Sequence, residues 1–539
     1  MRVTVFGVVL AVTVAGCTPP PAPEATIDWS TPRDRQIAAL IARRLADWRN
    51  GAVVYQVIVD RFAPSENLDA KRPLYAEPRT LHPWNETPRG GRKLEDLGLW
   101  SHELAFWGGD LPSLQGKLDY IDALGVDVLY LNPIHAAFTN HKYDAQDFEQ
   151  VSPEYGRRAD VAALAKGCHE RGMKLVLDGV FNHMGCTAPR FIDAMSNPDS
   201  PWRDWYVISP AYRRGYRGWY NVENLPELNL ENPAVRRHLW DDRDSVVQEY
   251  LREGVDGWRL DVAYDIGPKY LADLTRAAHS AKPGSWVVGE IWNYPEPWFP
   301  AVDGVMNFHL RQIVVDLVDG KITGRLAGVM IDRMIADAGL EPILKSWFQL
   351  DNHDTRRLAT QIPDPALRRL AMVLQFTLPG SPVVYYGSEL GMEGGDDPAN
   401  RAPMRWDLVE ETNETLAFTR RLIALRRESP ALRVGEFRLL DTDRLLAFAR
   451  MTDRAADTRI VVANPTDAPV TEVFATRDGK LMSGNRLRDA LAAPDAGEAA
   501  NVTVFAGRVE VQLPPRSVRI YQPILRDGAV EYNAYKRVR

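Results

Sequence analysis

The 539-residue chain is poor in cysteine and contains no basic cluster, and each deficiency excludes a class of protein. Three cysteines are too few for a disulfide-rich scaffold. A net charge of −7 without a basic run argues against nucleic-acid binding, so we expect no nucleic-acid partner. Hydrophobic residues make up 45% and charged residues 25%, which are globular proportions. The chain is therefore predicted to be globular, with a large core and more than one domain.

The first twenty residues have the pattern of an export signal. Arg2 precedes an apolar run over 3–15, which is shorter than the about 20 residues a membrane span needs. Val14-Ala15-Gly16-Cys17 is similar to the lipobox of bacterial lipoproteins, with Val14 where leucine is usual. We predict a signal peptide over 1–17, a lipid anchor on Cys17 as the only membrane attachment, and a proline-rich spacer over 18–30. The expected location is the periplasm or cell surface of a bacterium, and the alternative is an ordinary cleaved signal with a chance cysteine.

The two remaining cysteines are predicted to be free. Cys168 falls at the end of a predicted helix and Cys186 beyond the strand that follows it. A strand of about ten residues spans about 30 Å, whereas a disulfide needs Cα atoms within about 7 Å. We therefore expect free, buried thiols.

Apolar strand-like runs alternate with helical patterns through most of the chain. Strands that are apolar on both faces and separated by helices predict a parallel sheet covered by helices, and eight of them favour a closed (β/α)8 barrel, predicted over 31–430. The connection over 184–230 is rich in aromatic residues and is predicted to be an excursion or small subdomain. Short strands with polar turns over 431–530 predict an all-β sandwich. The predicted barrel strands are Val53–Phe62, Val126–Ile134, Lys174–His183, Gly254–Val262, Trp286–Trp292, Val302–Phe308, Ser346–Asp351 and Pro382–Tyr386.

Ionisable residues gather at the predicted carboxyl ends of four strands, where a barrel has its catalytic mouth. Arg259 and Asp261 are two residues apart and share one face of the fourth strand. Burying such groups unpaired costs several kcal/mol, so their convergence predicts a functional site. Asp178, in mid-strand, is instead predicted to be a structural hydrogen-bond acceptor. The other residues of this rim are Asn182, His183, Glu290, Asp351, Asn352, His353 and Asp354.

These segments resemble the four signature regions of the α-amylase superfamily of glycoside hydrolases. The matching motifs run in order along the chain from about Val53 to Leu425. Phe106-Trp-Gly-Gly-Asp110 and His141-Lys-Tyr143-Asp144 are most similar to the cyclomaltodextrinase, neopullulanase and maltogenic amylase subgroup. The signature regions are Asp178-Gly-Val-Phe-Asn182-His183, Gly257-Trp-Arg-Leu-Asp261, Gly289-Glu290-Ile-Trp292 and Asn352-His353-Asp354.

The resemblance implies a role for each site residue. Asp261 is expected to be the nucleophile, Glu290 the general acid and then base, and Asp354 a stabiliser of the transition state. Glu290 is expected to have a pKa raised by its surroundings, with Trp292 as a desolvating group. The expected substrate-binding residues are Arg259, His183, His353, His141, Tyr143 and Trp292, with Tyr143 stacking on sugar.

The implied substrate is an α-glucan oligosaccharide or polysaccharide, cleaved at α-1,4 bonds with no organic cofactor. The resemblance leaves a Ca²⁺ site through Asn182 and Asp110 open. The N-terminal β-domain that supplies the dimer contact in this subgroup has no counterpart in the sequence, so we expect a monomer. Tyr264-Asp265 stands where the subgroup has Asn-Glu, on the acceptor side of the site.

The sequence leaves three hypotheses for the function open. The first is a retaining hydrolase of maltooligosaccharides, starch-type glucans or cyclodextrins. The second is a transglycosylase, or an α-1,6- or sucrose-active member of the same family. The third is an inactive glucan-binding lipoprotein, against which the intact Asp261, Glu290 and Asp354 argue. For the C-terminal module, packing against the barrel is favoured over starch binding.

Overall fold

The computed structural model describes residues 32–493 and 495–524. The predicted signal, Cys17 and the spacer lie outside these residues. Within the described part of the chain, no helix combines the length and apolar character needed to cross a bilayer.

Eight parallel strands close into a barrel, and each predicted strand run contributes one of them. Around the barrel the strands are hydrogen-bonded in the order β1-β8-β7-β6-β5-β4-β3-β2 and back to β1. The predicted (β/α)8 barrel is thus confirmed. The strands are β1 Val54–Val57, β2 Val128–Leu131, β3 Lys174–Gly179, β4 Gly257–Leu260, β5 Trp286–Ile291, β6 Gly304–Asn307, β7 Trp347–Gln349 and β8 Ser381–Tyr385.

Seven of the eight observed strands are shorter than the apolar runs that predicted them. The first run extends to Phe62, but β1 ends at Val57 and a helical turn follows at Val59–Phe62. Asp60 in this turn is buried and accepts hydrogen bonds from the backbone N–H groups of Trp107 and Gly108. Burial therefore continues past the end of the strand, and apolar pattern alone does not mark the boundary.

Helices cover the outside of the barrel, with one exception. β5 and β6 are joined through a short 3-10 turn at Glu296–Trp298 in place of an α-helix. The α-helices of the barrel and its N-terminal extension are Pro32–Ala46, Val59–Phe62, Leu68–Lys71, Leu111–Gln115, Leu118–Leu124, Arg158–Glu170, Pro233–Arg236, Val246–Arg252, Ala263–Ala281, Phe308–Val318, Gly324–Ala338, Leu340–Leu344, Leu358–Gln361, Pro365–Thr377, Glu414–Glu428 and Pro430–Val434.

The excursion after β3 contains a helix that the sequence analysis did not predict. The helix Pro189–Ser196 starts with proline in its first turn and buries Phe191 and Ala194. Phe191 packs edge-on against Tyr206 and Tyr216, so the aromatic residues of the excursion form a small core of their own. Eight residues are too few for a clear helical period in the sequence.

The C-terminal region is an all-β domain packed against the barrel. A six-stranded sheet and a two-stranded sheet share an apolar core, and a second group of its side chains, including Phe448, Val461 and Ile520, joins the barrel core. The C-terminal domain therefore packs against the barrel, which is the role favoured from the sequence. The strands are β9 Glu436–Leu439, β10 Leu446–Met451, β11 Arg459–Asn464, β12 Val470–Ala475, β13 Arg486–Asp489, β14 Asn501–Thr503, β15 Arg508–Leu513 and β16 Ser517–Pro523.

Both described cysteines are free, as predicted. Cys168 is buried, but Cys186 is only half-buried, which corrects the expectation of two buried thiols. Cys186 lies in the excursion, where burial is shallower than in the barrel.

Candidate active site

The site lies at the carboxyl ends of the barrel strands because side chains alternate along each strand. On β4 and its extension, Arg259 and Asp261 point the same way, and on β5 Glu290 ends the inward-facing row. Parallel pairing aligns Arg259 with Asp178 on β3, so these side chains are neighbours across the sheet. Three carboxylates and one arginine are thus brought to one end of the barrel.

Arg259 is the centre of this group and is fully buried. Its Nη1 donates to Asp178 Oδ1 at 2.8 Å and to Asp261 Oδ1 at 2.7 Å, while Nη2 lies 2.9 Å from Glu290 Oε2. Burial by itself lowers the pKa of Arg259, but the carboxylates of Asp178 and Glu290 outweigh burial and hold the pKa above its ordinary value. The guanidinium therefore stays charged and holds the carboxylates adjacent to each other.

The carboxylates around Arg259 are crowded and buried, which makes their ionisation costly. Burial raises the pKa of Asp178 to about 6, against the opposing effect of Arg259. Burial also raises the pKa of Asp261, with Glu290 adding to the rise and Arg259 opposing it. One cation thus compensates only part of the negative charge at the barrel mouth.

Glu290 has both carboxylate oxygens occupied by donors. Oε2 accepts from the backbone N–H of Val262 at 3.0 Å besides its contact with Arg259, and Oε1 accepts from Trp292 Nε1 at 2.9 Å. Val262 adopts φ +47°, a left-handed conformation that is strained for a β-branched residue. Trp292 is 56% exposed and stacks on Phe308 with centroids 3.7 Å apart. Trp292 therefore orients Glu290 as a hydrogen-bond donor, and its desolvating effect stays a prediction.

Asp354 lies on the other side of the site and is the most exposed of the predicted catalytic carboxylates, at 32%. Its two oxygens lie 3.0 Å from His353 Nε2 and 3.3 Å from Arg401 Nη2. Arg401 also donates from Nε to the backbone carbonyl of His353 at 2.9 Å. The loop after β8 thus fixes the loop after β7.

Tyr143 connects the two sides of the site. Its hydroxyl lies 2.6 Å from His353 Nε2 and donates to Asp178 Oδ2 at 3.1 Å. The rings of Tyr143 and His353 stack at 5.4 Å with 7° between their planes. Asp178 also accepts from Tyr130 at 2.6 Å, so it is a hydrogen-bond acceptor as the sequence analysis predicted.

His183 is buried next to the predicted nucleophile. Its Nε2 lies 4.0 Å from Asp261 Oδ2 and has no hydrogen-bond partner among the described residues. The ring stacks on Trp219 of the excursion, with centroids 5.7 Å apart. Burial lowers the pKa of His183 to about 3, so the ring is neutral near pH 7. A neutral ring with a free nitrogen can hydrogen-bond a sugar hydroxyl.

His141 belongs to the same wall but has both ring nitrogens engaged. Nδ1 accepts the backbone N–H of Tyr143 at 3.1 Å and lies 3.2 Å from Thr139 Oγ1. Nε2 lies 3.3 Å from Glu103 Oε1. Unlike His183, His141 has no uncommitted nitrogen in this arrangement.

The proposed calcium ligands do not fit a metal site. Asp110 binds Lys71 Nζ and Ser65 Oγ and caps the helix Leu111–Gln115, so a lysine ammonium already neutralises its charge. The side-chain amide of Asn182 contacts the ring of His183. In the described ranges, no group of three or more acidic, histidine or cysteine side chains could hold a metal ion.

Two features of the site were missed in the sequence. Arg401 follows β8 in a charged loop, and its place at the mouth could have been inferred from the barrel loops. Trp219 donates from Nε1 to Asp265 Oδ2 at 3.0 Å, which ties the excursion to the loop behind the nucleophile. Trp219 is one of eight aromatic residues in the excursion, and no sequence signal separates it from the others.

The closed barrel carries a cluster of carboxylates at the carboxyl ends of its strands, where barrel enzymes have their active sites. The family profile described as "Alpha amylase, catalytic domain" matches residues 56–414, well over half of the chain. The chain therefore belongs to the α-amylase family of glycosidases.

Individual relatives fall in the subgroup that the motifs indicate. The chain is 33% identical over 435 residues to a cyclomaltodextrinase from Bacillus sp, covering 77% of this chain and 73% of the relative. It is 32% identical over 458 residues to an intracellular maltogenic amylase from Bacillus subtilis, covering 82% and 73%. The ligand-free cyclic alpha-maltosyl-(1→6)-maltose hydrolase of Arthrobacter globiformis matches with a TM-score of 0.72 at 28% identity, covering 89% of this chain and 99% of that chain. The family and subgroup predicted from the motifs are confirmed.

Proposed function

We propose that the protein is a retaining glycoside hydrolase that cleaves α-1,4 bonds of maltooligosaccharides and related glucans. The observation that carries the proposal is the guanidinium of Arg259, which holds Asp261 and Glu290 side by side. Retaining glycosidases need two carboxyl groups only about 5 Å apart, one to attack and one to transfer the proton. The names of the cyclomaltodextrinase and maltogenic amylase relatives support this substrate class.

In the proposed first step, Asp261 attacks the anomeric carbon and forms a covalent glycosyl-enzyme. Glu290 gives its proton to the glycosidic oxygen as the bond to the leaving group breaks. In the second step Glu290 takes a proton from water, the water oxygen attacks the same carbon, and Asp261 leaves as a carboxylate. Arg259 keeps the two carboxyl groups in register through both steps.

Asp354, His353 and His183 are proposed to bind hydroxyls of the sugar at the cleavage point. His183 offers an unpartnered buried nitrogen beside Asp261, and a sugar hydroxyl would satisfy it. Tyr143 offers a half-buried ring at the same wall for stacking.

The test compares the protein with its Glu290→Gln and Asp261→Asn variants on maltohexaose, soluble starch, β-cyclodextrin and pullulan. We expect maltose and glucose as products, the α-anomer first, and loss of turnover by at least about 10³-fold in either variant. Release of the β-anomer first would contradict a retaining mechanism. No turnover of any of the four substrates by the parent protein would reject the hydrolase proposal.

A transglycosylase or α-1,6-active enzyme is the second candidate, and the acceptor side of the site favours keeping it. Tyr264 is 60% exposed and packs at a tilt on Trp298, while Asp265 holds Trp219. Tyr264 stands two residues after Val262, whose backbone N–H donates to Glu290, so we propose that these aromatic faces border the acceptor side of the site. Chromatography of products longer than the substrate distinguishes transfer from hydrolysis.

We also propose that the protein is exported as a lipoprotein through Cys17, although one relative is named intracellular. Metabolic labelling with an alkyne fatty acid should mark the parent and leave Cys17→Ala unmarked. Label-free parent protein in the cytoplasmic fraction would contradict export. The monomer stays a prediction that sedimentation of residues 18–539 can check.

A further inference from the structure

The segment 91–105 packs against the sugar site but has no part in the proposed mechanism. Its strands Lys93–Leu94 and Leu99–Trp100 form a small antiparallel pair, followed by a 3-10 turn that carries Glu103. The backbone carbonyl of Glu103 accepts from Asn140 N at 2.8 Å. Asn140 Nδ2 donates back to the carbonyl groups of residues 102 and 105, at 2.8 Å each. The turn is therefore fastened to the loop that holds His141.

The contacts of His141 determine which ring nitrogen carries the proton in its neutral form. The backbone N–H of Tyr143 points at Nδ1, so Nδ1 must be an acceptor. The proton of the neutral ring then sits on Nε2, which faces Glu103 Oε1 at 3.3 Å. The second oxygen of Glu103 accepts from Trp100 N, so the carboxylate is itself held in place.

The charge of Glu103 suits this contact. Burial by itself raises the pKa of Glu103, but the contact with His141 and the hydrogen bond from Trp100 outweigh it and hold the pKa below its ordinary value. The carboxylate is therefore ionised near pH 7. An ionised acceptor makes a stronger hydrogen bond than a neutral one.

We propose that Glu103 is a positioning residue that fixes the tautomer and plane of His141 at the sugar site. His141 stacks on Tyr143 at 5.7 Å, and Tyr143 stacks on His353, so fixing one ring fixes a stack of three. Because this stack forms the wall proposed to bind sugar, the inference rests on the proposed function. It assigns a positioning role to a segment outside the four signature regions.

The experiment is a double-mutant cycle on kcat/KM with maltohexaose, using Glu103→Ala, His141→Ala and the double variant. Losing a hydrogen bond to a charged group corresponds to about a 10- to 100-fold fall in kcat/KM for Glu103→Ala. Since Glu103 acts through His141, the double variant should be no slower than His141→Ala alone. Glu103→Gln keeps a carbonyl oxygen for Nε2–H and should retain most of the activity.

Glu95→Ala is the matched control, because Glu95 lies in the same segment, is 74% exposed and pairs with Lys93. Its kcat/KM should equal that of the parent. Glu103→Leu, which preserves side-chain volume, takes the place of the alanine variant if that one does not fold.

Additive effects in the double variant, or Glu103→Ala as active as the Glu95 control, would overturn the inference while the parent still turns over maltohexaose. A Glu103→Gln variant as slow as Glu103→Ala would also overturn it, because the amide oxygen should serve as acceptor. A parent protein with no activity on any glucan rejects the proposed function and this inference together.

Discussion

The same strands form both ends of the barrel interior, but the side chains at the two ends differ in character. The amino-terminal end is an apolar cluster in which Trp286 meets Trp347 edge-on at 5.7 Å. The carboxyl end holds Arg259 and its carboxylates. On β5 the inward positions change from Trp286 through Val288 to Glu290 within four residues. Because side chains alternate along a strand, residues that stabilise the core and residues of the candidate site occupy one inward-facing row at opposite ends of the strand.

Tyr130 connects the two ends. Tyr130 packs its ring on Trp347, with centroids 4.8 Å apart, and donates its hydroxyl to Asp178 at 2.6 Å. Gly257 permits the tryptophan layer below, because a Cβ there would lie 2.2 Å from the carbonyl oxygen of Trp286. The tryptophan residues of the apolar end can therefore pack closely, and the hydroxyl of Tyr130 holds Asp178 at the charged end.

The largest expected effect comes from the carboxyl end. Asp261→Asn should lower kcat/KM on maltohexaose by about 10³-fold or more, because it removes the nucleophile. The free energy of unfolding should stay equal or rise, since one of three carboxylates crowded around Arg259 is neutralised. Urea unfolding checks the second part, with Asp273→Asn as control, because Asp273 is a half-buried helical carboxylate that pairs with Arg276 away from the site. A variant that is both inactive and much less stable would break the proposed separation.

The amino-terminal end should give the opposite result. Trp347→Ala should lower the free energy of unfolding by about 3–5 kcal/mol, because it leaves a cavity in a fully buried layer. The kcat of the folded protein should stay near that of the parent. Trp347→Phe is the graded control and should cost less. A large fall in kcat at unchanged stability would show that the two ends are coupled.

A buried histidine outside the barrel strands predicts how the free energy of unfolding depends on pH. His135 lies against Trp258 and Tyr250, and burial lowers its pKa to about 3. From pH 6.5 toward pH 3 the unfolded chain binds a proton that the folded chain does not, so stability falls as the pH falls. His135→Phe should flatten this acid limb and leave the pH dependence of kcat unchanged, because His135 is not in the site. Urea unfolding between pH 6.5 and about pH 4 measures the slope, and an unaltered slope would contradict the prediction.

The smallest effect is expected at the exposed mouth above the charged end. Trp219→Phe and Asp265→Ala each remove one exposed hydrogen bond, which is worth about 0.5–1.5 kcal/mol. We expect a shift of about two- to tenfold in the ratio of transfer to hydrolysis products, with kcat on maltohexaose little changed. Asp265→Asn keeps an acceptor for the indole N–H and should keep the parent ratio. Equal ratios in all variants would place the acceptor sugar elsewhere.

The sequence predicted elements with strong patterns and missed those with weak ones. All eight barrel strands were predicted because each is apolar on both faces. In the C-terminal domain, apolar runs predicted four strands, at Leu445–Ala449, Ile460–Ala463, Val502–Phe505 and Val509–Leu513. The strands Val470–Ala475, Arg486–Asp489 and Ser517–Pro523 carry polar residues that hide the pattern. The strand Glu436–Leu439 is half-buried throughout and likewise gives no clear signal.

The site was predicted as a set of residue types but not as a set of contacts. Asp261, Glu290 and Arg259 were predicted to lie together because each stands at the carboxyl end of a barrel strand. A Ca²⁺ site through Asp110 stayed open in the sequence, but in the structure Lys71, 39 residues away in the chain, pairs with the Asp110 carboxylate. Contacts between residues of distant loops cannot be predicted from local sequence patterns.

The sequence by itself determined the barrel, the family and the rim of ionisable residues, because strand alternation and motif order are local properties. Only the tertiary structure decided that Arg259 holds three carboxylates, that Trp292 donates to Glu290 and that Glu103 faces His141. These contacts depend on directions and distances between separate strands and loops. Hydrogen bonds and ion pairs act over about 3 Å, and chain folding alone brings such atoms within that range.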